Sequence, residues 1–137
     1  MSRWMALDVG SKTIGVAITD PLKVTVRPLK TLMRENLDTD AKRIGELIDE
    51  QDIERLVVGM PRHLGGERSG IADLIEPLVK RLEQNLEIPI ASAEERLSTK
   101  EAERLMAEMA LPLAERRKRR NEFAAAVILE WYLEEGR

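Results

Sequence analysis

The residues of this chain with the clearest capacity for chemistry are a few carboxylates in apolar surroundings. Asp8 interrupts the apolar run Leu7-Asp8-Val9, just ahead of a Gly10-Ser11-Lys12 turn and a second run, Thr13-Ile14-Gly15-Val16-Ala17-Ile18. Burying a carboxylate in such a strand is costly unless a cation sits beside it. That cation is Mg²⁺ or Mn²⁺, a lysine, or the metal of a nucleotide; an Asp at a strand end can also bond its own turn. Glu94-Glu95-Arg96-Leu97-Ser98 supplies a second acidic pair. Successive side chains of an extended chain point to opposite faces, so no more than one of the two can face a common site. A solvated turn ahead of a helix is the alternative for this pair. Asp8 and one of these glutamates could share a hard cation through oxygen ligands, an arrangement that orients water and stabilises the leaving oxygen in phosphodiester cleavage.

Cations are concentrated in one place. Arg116-Arg117-Lys118-Arg119-Arg120 are five in a row in a chain whose net charge is −3. Such a run is either a solvated loop or helix start, or an edge that gathers positive potential for a polyphosphate. Lys12, Arg62, Arg68 and Arg96 join it as candidate contacts to a nucleic-acid backbone. The glycine-rich stretch Gly65-Gly66-Glu67-Arg68-Ser69-Gly70 leads into a helix whose N-terminal amides could hold a phosphate, or it is simply a connecting loop. His63 is the only histidine and there is no cysteine, so neither a disulfide nor a Cys/His zinc site can be built. We expect His63 to be a loop residue without a catalytic task. With two Trp, one Tyr and one Phe there is no platform for stacking single-stranded bases. Recognition by shape and phosphates in structured or double-helical nucleic acid fits better.

Periodicity assigns the elements that must position these groups. Strands are expected at about 4–9, 13–19 and 24–32, the third carrying Pro28 and so suited to an edge. A helix at 39–51 follows, then a short apolar strand at 56–58, a helix at 70–85 and a strand at 88–91. Ser98-Thr99-Lys100-Glu101 has the form of a capping box opening a helix to about 109. The basic run is expected in the connection after Pro112, and a final helix at 121–134 holds Phe123, Val127, Ile128 and Trp131 on core spacing. The first three strands can form an antiparallel meander, whereas the later ones need helical crossovers and pair in parallel. The expected architecture is α/β: a mixed five-stranded sheet in the succession β-β-β-α-β-α-β-α, with helices on both faces. This is the ribonuclease H-like topology, shared by the half-domains of actin and sugar-kinase ATPases. An ATPase of that class clamps its nucleotide between two such halves, and 137 residues read as one domain, 1–137, without the second jaw. With 34% charged and 43% hydrophobic residues and no apolar run of roughly 18 residues, we expect no membrane partner and a cytoplasmic location. Ligands of open α/β sheets gather beyond the carboxyl ends of the parallel strands, which is where Asp8 and the Glu94-Glu95 pair would converge.

The segments LDVGSKTIGVAI, VRPL, VVGMP, EERLST and AAAVILEWYL occur in the order found in the YqgF family of bacterial ribonuclease H-like proteins. Members of that family are described as Holliday-junction-resolvase-like nucleases and as pre-16S rRNA nucleases. The resemblance runs from Leu7 to Tyr132, and EERLST is its most diagnostic motif. It implies a nuclease dependent on Mg²⁺ or Mn²⁺, acting on structured RNA or on branched DNA, as a monomer or homodimer. It also implies an acidic site: an Asp on the first strand, carried over to Asp8; a Glu in EERLST, carried over to Glu95; and an Asp opening the last helix. That third position falls on Asn121, with Glu122 beside it. Asn offers a neutral carbonyl oxygen but no charge, and it is a favoured helix N-cap. Glu122 has the charge but lies about 100° further round a helix. The substitution also allows a catalytically weak nucleic-acid-binding module. His63 and Gly65 stand where Asn and Asp are usual in the family.

Overall fold

Alternating β-branched and aliphatic residues send the chain into strand three times before its first helix: β1 (Arg3–Val9), β2 (Thr13–Thr19) and β3 (Val26–Met33). The computed structural model describes residues 2–61, 72–95 and 98–135. Within them follow α1 (Leu37–Glu50), β4 (Ile53–Pro61), α2 (Ala72–Asn85), β5 (Ile90–Glu95), α3 (Ser98–Glu108) and α4 (Leu113–Glu135). The five strands make one sheet in the order β3-β2-β1-β4-β5. The pairs β1/β2 and β2/β3 are antiparallel, and β1/β4 and β4/β5 parallel. The expected mixed, ribonuclease H-like sheet is the observed one, and β1 sits at its centre.

The two faces of this sheet are built differently. One carries large aliphatic side chains, Met5, Leu7 and Val9 of β1 with Ile14, Val16 and Ile18 of β2. It packs against Ile44, Leu47 and Ile48 of α1 and Ile75, Leu78 and Leu82 of α2. Full burial of each such side chain contributes about 1.5–3 kcal/mol, so this face supplies most of the apolar driving force. The other face is small: Ala6, Ala17, Gly15 and Gly59 lie under α4, which contributes Ala125, Ala126, Ile128 and Leu129. Small residues let the helix axis come close. α3 then covers the outside of α4 through Ala102 and Met106 against Phe123 and Ala124. This explains why α4 is buried on all sides from Glu122 to Leu129. Its far end is pinned by Tyr132, whose ring meets Trp4 edge-on at 5.7 Å and whose hydroxyl accepts a 3.0 Å bond from Arg55.

Several boundaries differ from expectation for physical reasons. β4 spans Ile53–Pro61 rather than 56–58, because its ends carry two charged residues (Glu54, Arg55), a glycine and a proline, and only its middle reads as a buried run. β5 is Ile90–Glu95 rather than 88–91. It pairs with β4 through Met60↔Glu94 and Pro61↔Glu95, so the two glutamates end a strand instead of following one. An edge strand keeps one side open to solvent, where charge is tolerated. The largest difference is α4, which starts at Leu113 and not at 121. The five-cation run is therefore helix, not connection. Arg and Lys are good helix formers, and their repulsion is relieved by Glu103 and Glu122, which lie 2.5 Å from Arg120 and Arg119. Trp131, expected in the core, is only half-buried and lines a surface cavity with Tyr132 and Lys100. Among the described residues no helix is long and apolar enough to cross a membrane.

Candidate active site

Asp8 is the second-last residue of the central strand and is 8% exposed. Its antiparallel partner across the ladder is Gly15, and Gly15 in turn pairs with Thr31 of β3. Directly opposed residues of neighbouring strands point to the same face, so Asp8, Gly15 and Thr31 form one row on the α4 side. The missing side chain of Gly15 decides what lies over that row. A Cβ there would sit 2.0 Å from the carbonyl oxygen of Asn121 and 2.6 Å from the amide nitrogen of Glu122. The backbone of α4 at 121–122 therefore rests on the strand residue opposite Asp8. Residues 113 places apart in the chain (8 and 121) are brought to one spot by an absent methyl group.

Asn121 is the ninth residue of α4, so it is not the N-cap that its residue type allows. Its side-chain Nδ2 donates to Thr13 Oγ1 and would lie 3.4 Å from a Cβ on Gly10. The amide thus closes over the turn that follows Asp8. Glu122 is 5% exposed and 2.5 Å from Arg119 Nε, whose guanidinium stacks over the Phe123 ring at 5.0 Å. Its charge is committed to a cation on its own helix. The helix begins eight residues before Asn121 (113 to 121), so no end-of-helix adjustment is available to turn Glu122 into the row. Glu95 is the last residue of β5, opposite Pro61 at the same carboxyl edge of the parallel strands as Asp8.

The turn after Asp8 is held from its other side by residues the sequence reading missed. The Arg34 guanidinium donates to Gly10 O (3.1 Å) and to Asp40 Oδ2 (3.3 Å), while the Arg34 amide donates to Lys12 O (2.8 Å). Asp40, 2% exposed, also accepts from the Glu35 amide at 3.0 Å. A carboxylate in the first turn of α1 looks like a surface charge favouring the helix dipole, and only the meeting of α1 with the hairpin buries it. Asn36 is the actual cap of that helix, accepting from the Thr39 amide at 2.8 Å.

The basic run sorts into two groups. Arg116 donates to Leu111 O at 2.7 Å, Arg119 serves Glu122, and Arg120 lies 2.5 Å from Glu103 at an angle that makes an ion pair rather than a directed hydrogen bond. Arg117 and Lys118 are exposed and, among the described residues, in no ion pair. These two line a groove of about 380 Å³ with Thr13, Thr31, Met33 and Asn121, beside the Asp8 row. Lys12 is exposed on the hairpin turn. Arg62, His63, Gly65, Arg68 and Arg96 lie outside the described residues.

The donor chemistry fits a hard divalent cation: Asp8 is a buried carboxylate at the sheet's carboxyl edge, Glu95 ends a strand at that edge, and the amide of Asn121 carries an oxygen. Among the described residues no three His, Cys, Asp or Glu side chains gather into a metal cage. Mg²⁺ commonly takes one or two carboxylates and completes its shell with water and substrate phosphate, so the residue types at Asp8 and Glu95 fit such an ion.

Comparison with known proteins gives the family and the fold. A protein of Desulforamulus reducens named "Putative pre-16S rRNA nuclease" is 37% identical over 134 residues, covering 98% of each chain. One of the same name from Symbiobacterium thermophilum is 41% identical over 128 residues, 93% of this chain and 89% of that one. Among solved structures, Thermus thermophilus RuvC in complex with a Holliday junction substrate superposes with a TM-score of 0.61 at 12% identity, over 99% of this chain and 97% of that one. Fowlpox virus resolvase with its junction DNA gives 0.60 at 11%, over 97% of both chains; at such identities the likeness is one of fold. Residues 2–135 match the family described as RuvX, Holliday junction resolvase, and the chain belongs to that family of nucleases, hydrolases of phosphodiester bonds.

Proposed function

We propose that this chain is a divalent-metal-dependent nuclease of structured RNA, a single domain over residues 1–137 that trims the 5′ end of the 16S rRNA precursor in the cytoplasm, as a monomer or homodimer. The observation that carries this reading is the row Asp8–Gly15–Thr31 with the backbone of α4 seated on it. Asp8 and Glu95 are the proposed ligands of Mg²⁺ or Mn²⁺. The ladder Leu7↔Val58↔Ser92 puts their backbones two strands apart and about two residues out of level. With neighbouring strands about 4.8 Å apart and a rise of about 3.3 Å per residue, the separation is about 12 Å. An extended Glu, an Asp and an ion with metal–oxygen bonds of about 2.1 Å can fill that span. When bound, the ion supplies a polarised water and stabilises the leaving oxygen. Arg117, Lys118 and Lys12 hold the substrate backbone, with Arg62, Arg68 and Arg96 as further contacts from the sequence.

The experiment is cleavage of a precursor rRNA fragment and of a four-way DNA junction, side by side, with Mg²⁺, with Mn²⁺ and with EDTA. Wild type should cut the RNA only with metal, and Asp8→Asn and Glu95→Gln should each lose at least about a hundredfold. Wild-type rates in Asp8→Asn would remove the assigned site. Preference for the junction would move the substrate to branched DNA.

A second reading, a weak or silent binding module, is favoured by one observation: the position expected to carry a third carboxylate is an amide engaged with Thr13, and Glu122 is engaged with Arg119. Asn121→Asp decides between the two. A large gain in cleavage identifies the module reading, whereas full wild-type activity without it shows that two carboxylates suffice.

A further inference from the structure

The groove beside the Asp8 row carries more than charge. Its exposed residues are Arg117 and Lys118, from the first turns of α4, and Met33, while its less exposed floor is polar and uncharged, with Thr13, Thr31 and the Asn121 amide. The volume of about 380 Å³ lies in the range of pockets that take one small ligand. A phosphate would satisfy the two cations, but phosphate alone leaves the floor without a purpose.

Thr31 Oγ1 is buried and, among the described residues, has no hydrogen-bond partner. Leaving a buried hydroxyl unsatisfied is disfavoured, and the protein tolerates it one strand beyond the residue that pairs with Asp8. A turn about χ1 by one staggered well carries the hydroxyl of a threonine into the place of its methyl and the methyl into the place of the Cβ hydrogen, which would present Oγ1 to the groove once a partner is there. Thr13 accepts from Asn121, so its own hydroxyl hydrogen remains to be donated. With Thr31 so turned, the floor offers a pair of hydroxyls, each with a hydrogen to donate. The complementary group on a nucleic acid is a neutral hydroxyl, and the ribose 2′-OH is the one that DNA lacks.

We propose that the groove holds one ribonucleotide next to the scissile position, its phosphate on Arg117 and Lys118 and its 2′-OH on Thr31 and Thr13, and that this contact selects RNA over DNA. The proposal rests on the nuclease reading and deepens it. A site built to hydrogen-bond a hydroxyl rejects the analogue without one, because its own polar groups are then left unpaired.

The test compares an all-ribose precursor fragment with a series carrying a single 2′-deoxy substitution at successive positions around the cut. One position should cost wild type about tenfold in kcat/KM. Thr31→Val, which keeps the branched shape, should slow the all-ribose substrate about tenfold more than the substrate deoxy at that position. Thr31→Ser should restore the difference. Arg117→Gln and Lys118→Gln should weaken both substrates alike. An unchanged ribose-to-deoxy ratio in Thr31→Val and Thr13→Val would overturn the proposal. Equilibrium binding of RNA and of DNA of the same sequence, without metal, separates it from the nuclease reading. If no substrate is cut but the RNA preference persists and Thr31→Val removes it, the groove assignment stands and the catalytic one falls. Equal binding of RNA and DNA by wild type would remove the groove assignment.

Discussion

Replacing Gly15 by alanine should be the most damaging single-methyl change on the α4 face of the sheet. The new Cβ would meet Asn121 O at 2.0 Å, Asn121 C at 2.1 Å and Glu122 N at 2.6 Å. All three are backbone atoms of a regular helix, so no side chain can swing away. Restoring an ordinary contact of 3.4 Å from 2.0 Å means lifting α4 by the difference, 1.4 Å. The lift would loosen Ala125, Ala126, Ile128 and Leu129, which pack directly on the sheet. Overpacking commonly costs about 1–3 kcal/mol, and a rigid backbone clash belongs at or above the top of that range. For a chain of this size, about 3 kcal/mol corresponds to a fall in Tm of about 10 °C. Activity should fall even where the variant is folded, since the same lift separates Asn121 from Thr13. The internal control is Gly45→Ala in α1, whose Cβ would meet only Leu86 Cδ2 at 3.9 Å. A helical Gly→Ala of this kind should stabilise by about 0.5–1 kcal/mol. Thermal melts by circular dichroism and cleavage assays well below Tm are the measurements. A Gly15→Ala protein melting within about 2 °C of wild type with full activity would refute the claim that α4 is seated on this residue.

Three other predictions concern charged side chains. Arg34→Met leaves Asp40 buried without its cation and should cost about 3 kcal/mol in urea unfolding, with part recovered by adding Asp40→Leu; no loss would show that the clamp on Gly10 is incidental. Arg117→Gln and Lys118→Gln should each flatten the dependence of log Kd on log salt by about 0.7–0.9, whereas Arg119→Gln should act on stability through Glu122; equal slopes in all three would deny the sorting of the basic run. Glu130 has its pKa raised by burial, then by the charges of Glu134 and Glu101. Its protonated form is thus favoured by folding, a contribution present below the unfolded pKa and lost as pH rises through the raised value. Glu130→Gln should therefore stabilise at neutral pH by a few tenths of a kcal/mol, discounted for solvent screening, with the gain vanishing toward about pH 4; a loss at neutral pH would contradict this.

The sheet was legible because its signals are local. Alternation in Met5–Val9 and Ile14–Ile18 sets which residues share a face, glycines mark the turn between them, and crossover rules then leave few topologies. Asp8 stood out for the same reason, as a charge in an apolar strand. The interval 113–120 was misread because a run of cations looks solvated until Glu103 on a neighbouring helix is seen to answer it. Arg34 and Asp40 were invisible because each alone is an ordinary surface residue, and only packing removes water from the pair.

Sequence by itself determined that the chain forms a mixed five-stranded sheet and which family it belongs to, since the first depends on period-two patterning and the second on ordered motifs. Tertiary structure alone decided that α4 crosses at Gly15, that Asn121 closes over the turn after Asp8, and which two of five cations stay exposed and, among the described residues, outside ion pairs. Those outcomes turn on contacts between residues some hundred positions apart, where distance of closest approach, and not residue type, sets the energy.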